Sequence, residues 1–115
     1  MNNEDLPDRL IAVAGKLYRE SEGFAECPED SQQWYNRGYA DGMVKALVEL
    51  GYGRRIVDLH QCMNKTAAVM QAQEKLPWGK ACRHGEDKGY RETREVFSAA
   101  DSQAPHQSPR KPAKQ

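Results

Sequence analysis

No stretch of this sequence approaches the roughly 20 consecutive apolar residues that cross a bilayer. Its opening, Met1 to Asp8 (MNNEDLPD), has neither the basic cluster nor the apolar core of a secretory leader. A cytoplasmic protein that stays off the membrane is the expectation. Cysteine is sparse: Cys27, Cys62 and Cys82 are an odd set that cannot all pair within one chain, so free thiols in a reducing compartment are expected. Net charge is absent, at 17 basic against 17 acidic side chains, which weighs against a dedicated nucleic-acid binder. A nucleophile elbow and a phosphate-binding glycine loop are missing too, and Gly51-Tyr52-Gly53 is only a fragment of the dinucleotide pattern, so neither catalysis nor a cofactor is expected. No run alternates with period two in β-branched residues, which leaves an all-α fold.

What is present suits one small domain. A hydrophobic fraction of 38% beside a charged fraction of 30% fits a compact body with a heavily solvated surface. The reading is a single helical domain of three to five helices over residues 1–100, followed by a disordered basic tail over 101–115, where three prolines and no large apolar residue leave nothing to bury. Charge is unevenly spread: residues 1–30 hold eight acids and three bases, whereas residues 54–115 hold twelve bases and seven acids. Such a gradient either aligns two copies or closes on itself within the monomer.

Leu6, Leu10, Val13, Ala14, Leu17 and Ser21 recur at spacings of three and four, predicting a first helix from Asp5 to about Glu20, with Pro7 tolerated in its first turn. Asp30 or Ser31 caps a second helix that passes through Trp34, Tyr35 and Tyr39 to stop at Gly51 or Gly53. Within it Gly38, Gly42 and Ala46 lie four apart on one face. Each interior glycine costs roughly 0.5–1 kcal/mol against alanine, so close approach of another helix or a bulky side chain to this small-residue groove should offset the cost. The groove serves either internal packing or an interface, and a domain this small needs its best apolar face for its own core. A third helix is predicted from about Arg54 to Lys75. A weaker fourth covers Asp87 to Ala99, its pattern diluted by Gly79, Gly85 and Gly89. Asn36 to Asp41 (NRGYAD) and Asp87 to Glu92 (DKGYRE) echo each other faintly, which chance explains unless both glycines let a tyrosine-bearing helix pack closely.

Two thiols and two imidazoles, in His60-Gln61-Cys62 and Cys82-Arg83-His84, form a ligand set that zinc accepts, but residues two apart on a helix point in different directions and cannot share one ion. Cys82 beside Arg83 and His84 is the one plausible nucleophile, with no orienting acid fixed by the sequence.

Overall size, the opening Met1 to Arg19 (MNNEDLPDRLIAVAGKLYR) and the central helix Trp34 to Gly53 (WYNRGYADGMVKALVELGYG) resemble the small anti-activators that restrain LuxR-type quorum-sensing regulators such as LasR. The resemblance implies a helical homodimer that binds the regulator's ligand-binding domain and blocks its dimerisation and DNA binding, with no catalysis, metal or cofactor. It transfers no site residue. The contact face expected for the partner, Tyr39, Met43, Leu47 and Leu50, comes from the helix pattern alone. Locally, Arg37 to Gly42 (RGYADG) is similar to the basic-glycine-tyrosine-glycine signature of ribosome modulation factors. This supports the alternative of a small ribosome- or RNA-associated protein, although the neutral charge makes direct nucleic-acid binding unexpected.

Overall fold

A computed structural model of the chain describes residues 5–103 and contains four α-helices: α1 (Asp5–Glu20), α2 (Ser31–Leu47), α3 (Val57–Met70) and α4 (Pro77–Gln103). No strand occurs among the described residues, and the domain is small and all-α. Of the tail expected over 101–115, residues 101–103 continue α4, and the rest lies outside the described residues.

The first two helices begin and end close to where their polar signals place them. Asp30 caps α2 by accepting the backbone N–H of Gln33 at 3.3 Å, and Gln33 Nε2 returns a bond to its second oxygen at 3.2 Å. Past Leu47 the helix widens into one π turn, Val48–Tyr52. It stops at Gly51, whose φ of 102° lies in the left-handed region that side chains avoid. A tight 3-10 turn, Gly53–Ile56, then leads into α3, which is shorter than predicted at both ends.

The largest departure from the sequence reading is α4. It was expected over Asp87–Ala99 and instead runs 27 residues from Pro77, about 40 Å at 1.5 Å per residue. Pro77 starts it rather than merely ending α3, in the first turn where its missing N–H costs nothing. The glycines that dilute its pattern do not break it, because they sit where its backbone touches other backbone. Gly79 abuts Gln73 and Glu74 in the preceding turn, while Gly85 and Gly89 abut Tyr35 and Tyr39 of α2.

α2 is the axial helix, buried on nearly every side: Trp34, Arg37, Ala40, Asp41, Met43, Val44, Ala46 and Leu47 are all interior. Against one flank α1 supplies Tyr18 and the 3-10 turn supplies Ile56, which join Ala40, Val44 and Leu47 in one apolar cluster. A second cluster near the start of α2 gathers Phe24, Trp34, Met70 and Cys82. Here Phe24 and Trp34 meet edge to face at 4.8 Å, and Trp34 Nε1 donates to the Cys27 carbonyl at 3.1 Å.

Gly15 of α1 differs from the glycines of α2 and α4. A methyl group there would lie 3.6 Å from Arg19 and 3.9 Å from Leu59, both ordinary contacts with movable side chains. Gly15→Ala should therefore stabilise the domain by about 0.4–1 kcal/mol through the lost freedom of the unfolded chain, read as a raised urea midpoint at unchanged m-value.

Candidate functional site

The opposite flank of α2 meets α4 through a seam of glycines. A Cβ built on Gly38 would lie 2.7 Å from the carbonyl carbon of Cys82, one on Gly42 would lie 2.6 Å from the amide nitrogen of Tyr90, and one on Gly85 would lie 3.0 Å from the nitrogen of Tyr39. Residue numbers rise together along both helices, so they run parallel. Bare backbones thus touch where side chains would hold them apart, the geometry in which Cα–H groups reach carbonyl oxygens across helices. Each tyrosine that follows a seam glycine crosses to an acid on the other helix. Tyr39 donates to Glu92, and Tyr90 donates to Glu49 at 2.5 Å, where Arg94 also reaches Glu49 at 3.2 Å. Partial burial and the bond to Glu92 push the Tyr39 hydroxyl up, while the same bond holds Glu92 below the usual carboxylate range.

Gly38 and Gly42 therefore belong to internal packing, and Ala46, further along α2, is fully buried. The two echoing segments face each other across the seam, Gly38-Tyr39 on one helix and Gly89-Tyr90 on the other. The face expected for a partner needs correction. Met43 is 2% exposed and Leu47 0%, because α2 is enclosed on both flanks, while Tyr39 and Leu50 are half-buried. Leu47 and Met43 cannot touch another molecule while the domain stays folded.

Arg37 is equally interior. Its guanidinium lies 4.8 Å from the centres of the Tyr18 and Phe24 rings, donates to Thr66 Oγ1 at 2.7 Å and to the Cys62 carbonyl at 3.0 Å, and is 5% exposed. A residue so engaged cannot reach a phosphate, so the ribosome-factor-like segment is core here. Beside it Asp41 Oδ1 accepts Tyr18 Oη–H and, at 3.3 Å, Thr66 Oγ1–H. Burial raises Asp41 to about 7 against the pull of its hydrogen bonds and of Arg37, and burial together with Asp41 pushes the Tyr18 hydroxyl up.

The cysteine and histidine candidates do not form a reactive site. Cys82 is buried in the second cluster, and burial, reinforced by Asp41 and Glu86, pushes its thiol up to about 12, the reverse of what a nucleophile needs. His84 is exposed with its ring 5.7 Å from that of Tyr35. Among the described residues no three His, Cys, Asp or Glu side chains come together to hold a metal ion.

An open groove of about 540 Å³ lies between α1 and the start of α3. Ile11, Ala12 and Gly15 form one wall, Val57 and Leu59 the other, and Arg19, Arg54 and Arg55 stand at its rim. Val57 is 55% exposed, and Val13 on α1 is 45% exposed. Arg55 is paired with Asp8 of α1, which ties the two walls together. Helical spacing could have located Ile11 and Val57 but not their juxtaposition, which depends on the π and 3-10 turns that aim α3 back along α1.

Compared with models of known protein families, with curated proteins and with solved structures, the chain gives no match. Among the described residues no helix is long and apolar enough to cross a membrane.

Proposed function

We propose that this chain is a protein-binding negative regulator, an anti-activator that docks a LuxR-type transcription factor in the α1–α3 groove and so blocks that factor's dimerisation and DNA binding. The observation that carries the reading is the groove itself, an open trough that presents Ile11, Val57 and Leu59 among charged side chains, in a domain whose other large apolar side chains are mostly spent on its own core. Three arginines against the single acid Asp58 in its lining favour an apolar helix flanked by acids. The action is by occupancy: each regulator monomer held in the groove is withdrawn from its own dimer by mass action. No catalytic step or cofactor enters it. A homodimer of the chain belongs to the same reading, and gel filtration of the free protein reads it.

The test is titration of a LasR-like ligand-binding domain with the full chain and with Val57→Asp. Because Val57 is exposed, the variant should keep the wild-type melting temperature within a few degrees, yet lose affinity at least 30-fold, the equivalent of about 2 kcal/mol for a central anchor. Leu47→Asp is the contrasting control and should simply unfold. An unchanged affinity for Val57→Asp sinks the groove assignment. In a pull-down from cell lysate, recovery of ribosomal proteins, lost on nuclease treatment, in place of the regulator sinks the anti-activator reading.

A further inference from the structure

A smaller cavity of about 160 Å³ lies between α2, α3 and α4. Its construction is unlike that of the groove. Asp41 lines it, Met63, Ala67, Met70 and Cys82 form apolar walls, and Glu86 and Glu74 stand beside Arg83 at its edge. Arg83 bridges the two acids, reaching Glu86 at 3.1 Å and Glu74 on the other side. All three are exposed enough for that strap to part readily.

Asp41 is a carboxyl group 5% exposed, and among the described residues no ion pair reaches it. The nearby cation, Arg37, directs its donors at Thr66 and the Cys62 carbonyl instead. Both hydrogen bonds to Asp41 fall on Oδ1, and Oδ2 receives none among the described residues. Asp41 lines the cavity, and Oδ2 is the oxygen its described hydrogen bonds leave for a ligand there. Arg37 offsets the burial of Asp41 only in part, and the group that offsets the rest is a cation with donors and a small apolar body.

We propose that this cavity binds a short primary aliphatic amine as its ammonium ion, the ammonium donating to Asp41 Oδ2 and the alkyl chain lying against Met63, Ala67 and Met70. A metal ion is a poorer fit, because no three His, Cys, Asp or Glu side chains converge there. The volume suits about six heavy atoms, since a cavity of roughly 150 Å³ holds benzene. In a diamine of four carbons the second ammonium extends toward Glu86 and Glu74 at the edge and competes with Arg83 for them. The site is separate from the α1–α3 groove, so it stands whether or not that groove binds a regulator.

The test is calorimetric titration of the full chain with butylammonium chloride and with 1,4-diammoniobutane, with butan-1-ol as a neutral probe of equal size. Expected is saturable binding of both amines and none of the alcohol. Binding should weaken at least about tenfold in Asp41→Asn, which keeps the oxygen that Tyr18 and Thr66 need, and in Ala67→Phe, which fills the cavity from an exposed position on α3. Should Asp41→Asn fail to fold, Ala67→Phe decides. No saturation by about 10 mM amine, equal binding of the alcohol, or full affinity in a folded variant overturns the proposal.

Discussion

Gly42→Ala, a change of one methyl group, should cost the domain about 3 kcal/mol or more and lower its melting temperature by roughly 12–24 °C. The added carbon would lie 2.6 Å from the Tyr90 nitrogen and 2.9 Å from the Glu86 carbonyl carbon. Both are main-chain atoms of α4, so no side-chain rotation relieves the clash. The helices must separate, and the loss spreads along the seam to the contacts at Gly38 and Gly89 and to the Tyr39–Glu92 and Tyr90–Glu49 bonds. Set against a total stability of about 5–15 kcal/mol for an ordinary domain, this one methyl removes a large share. Thermal unfolding followed by circular dichroism measures it, with Gly15→Ala as the stabilising counterpart. A Gly42→Ala variant melting within 3 °C of the parent would mean that the helices are not in backbone contact.

Asp41→Asn should reshape the dependence of stability on pH. In the unfolded chain an aspartate titrates near 3.9, and in the interior Asp41 is raised to about 7. Between those values the folded protein keeps a proton that the unfolded chain has released, so this group's contribution is fully present below about pH 4 and is lost as pH rises through 7. Over that window the loss is on the order of 3–4 kcal/mol, partly masked by surface carboxylates whose pairing works in the opposite direction. Asparagine is neutral throughout and still accepts from Tyr18 and Thr66. Its urea midpoint should vary less between pH 4 and 8, and above pH 7 it should exceed that of the parent. If the variant is weaker by the same amount at pH 5 and pH 8, the native group is a carboxylate throughout and its environment is more polar than its burial implies.

The sequence carried the fold class, the end of α1 and the ends of α2, because signals such as Asp30 and Gly51 act locally and their effects need no knowledge of what lies across the chain. The site was less legible, for a physical reason. A glycine in isolation reads as a weak point, and Gly79, Gly85 and Gly89 together read as a failing helix. Their value exists only opposite Gln73, Tyr35 and Tyr39, which the sequence does not place beside them. The same limit misdirected the stripe of Tyr39, Met43, Leu47 and Leu50. Amphipathic spacing shows that a face is apolar without showing what covers it, and α4, underestimated by half its length, left α2 with a flank that looked free. Nothing local to Arg37 and Asp41 announces that Tyr18, Phe24 and Thr66 enclose them.

The seam also sets a timetable. Its facing residues, Gly38 with Cys82 and Tyr39 with Gly85, are more than forty positions apart in the chain. With two interior glycines, α2 is a poor helix on its own, and what stabilises it arrives with α4. During synthesis, at about 5–20 residues per second, α2 therefore waits roughly 2–9 s after it is made for the stretch of α4 that packs against it.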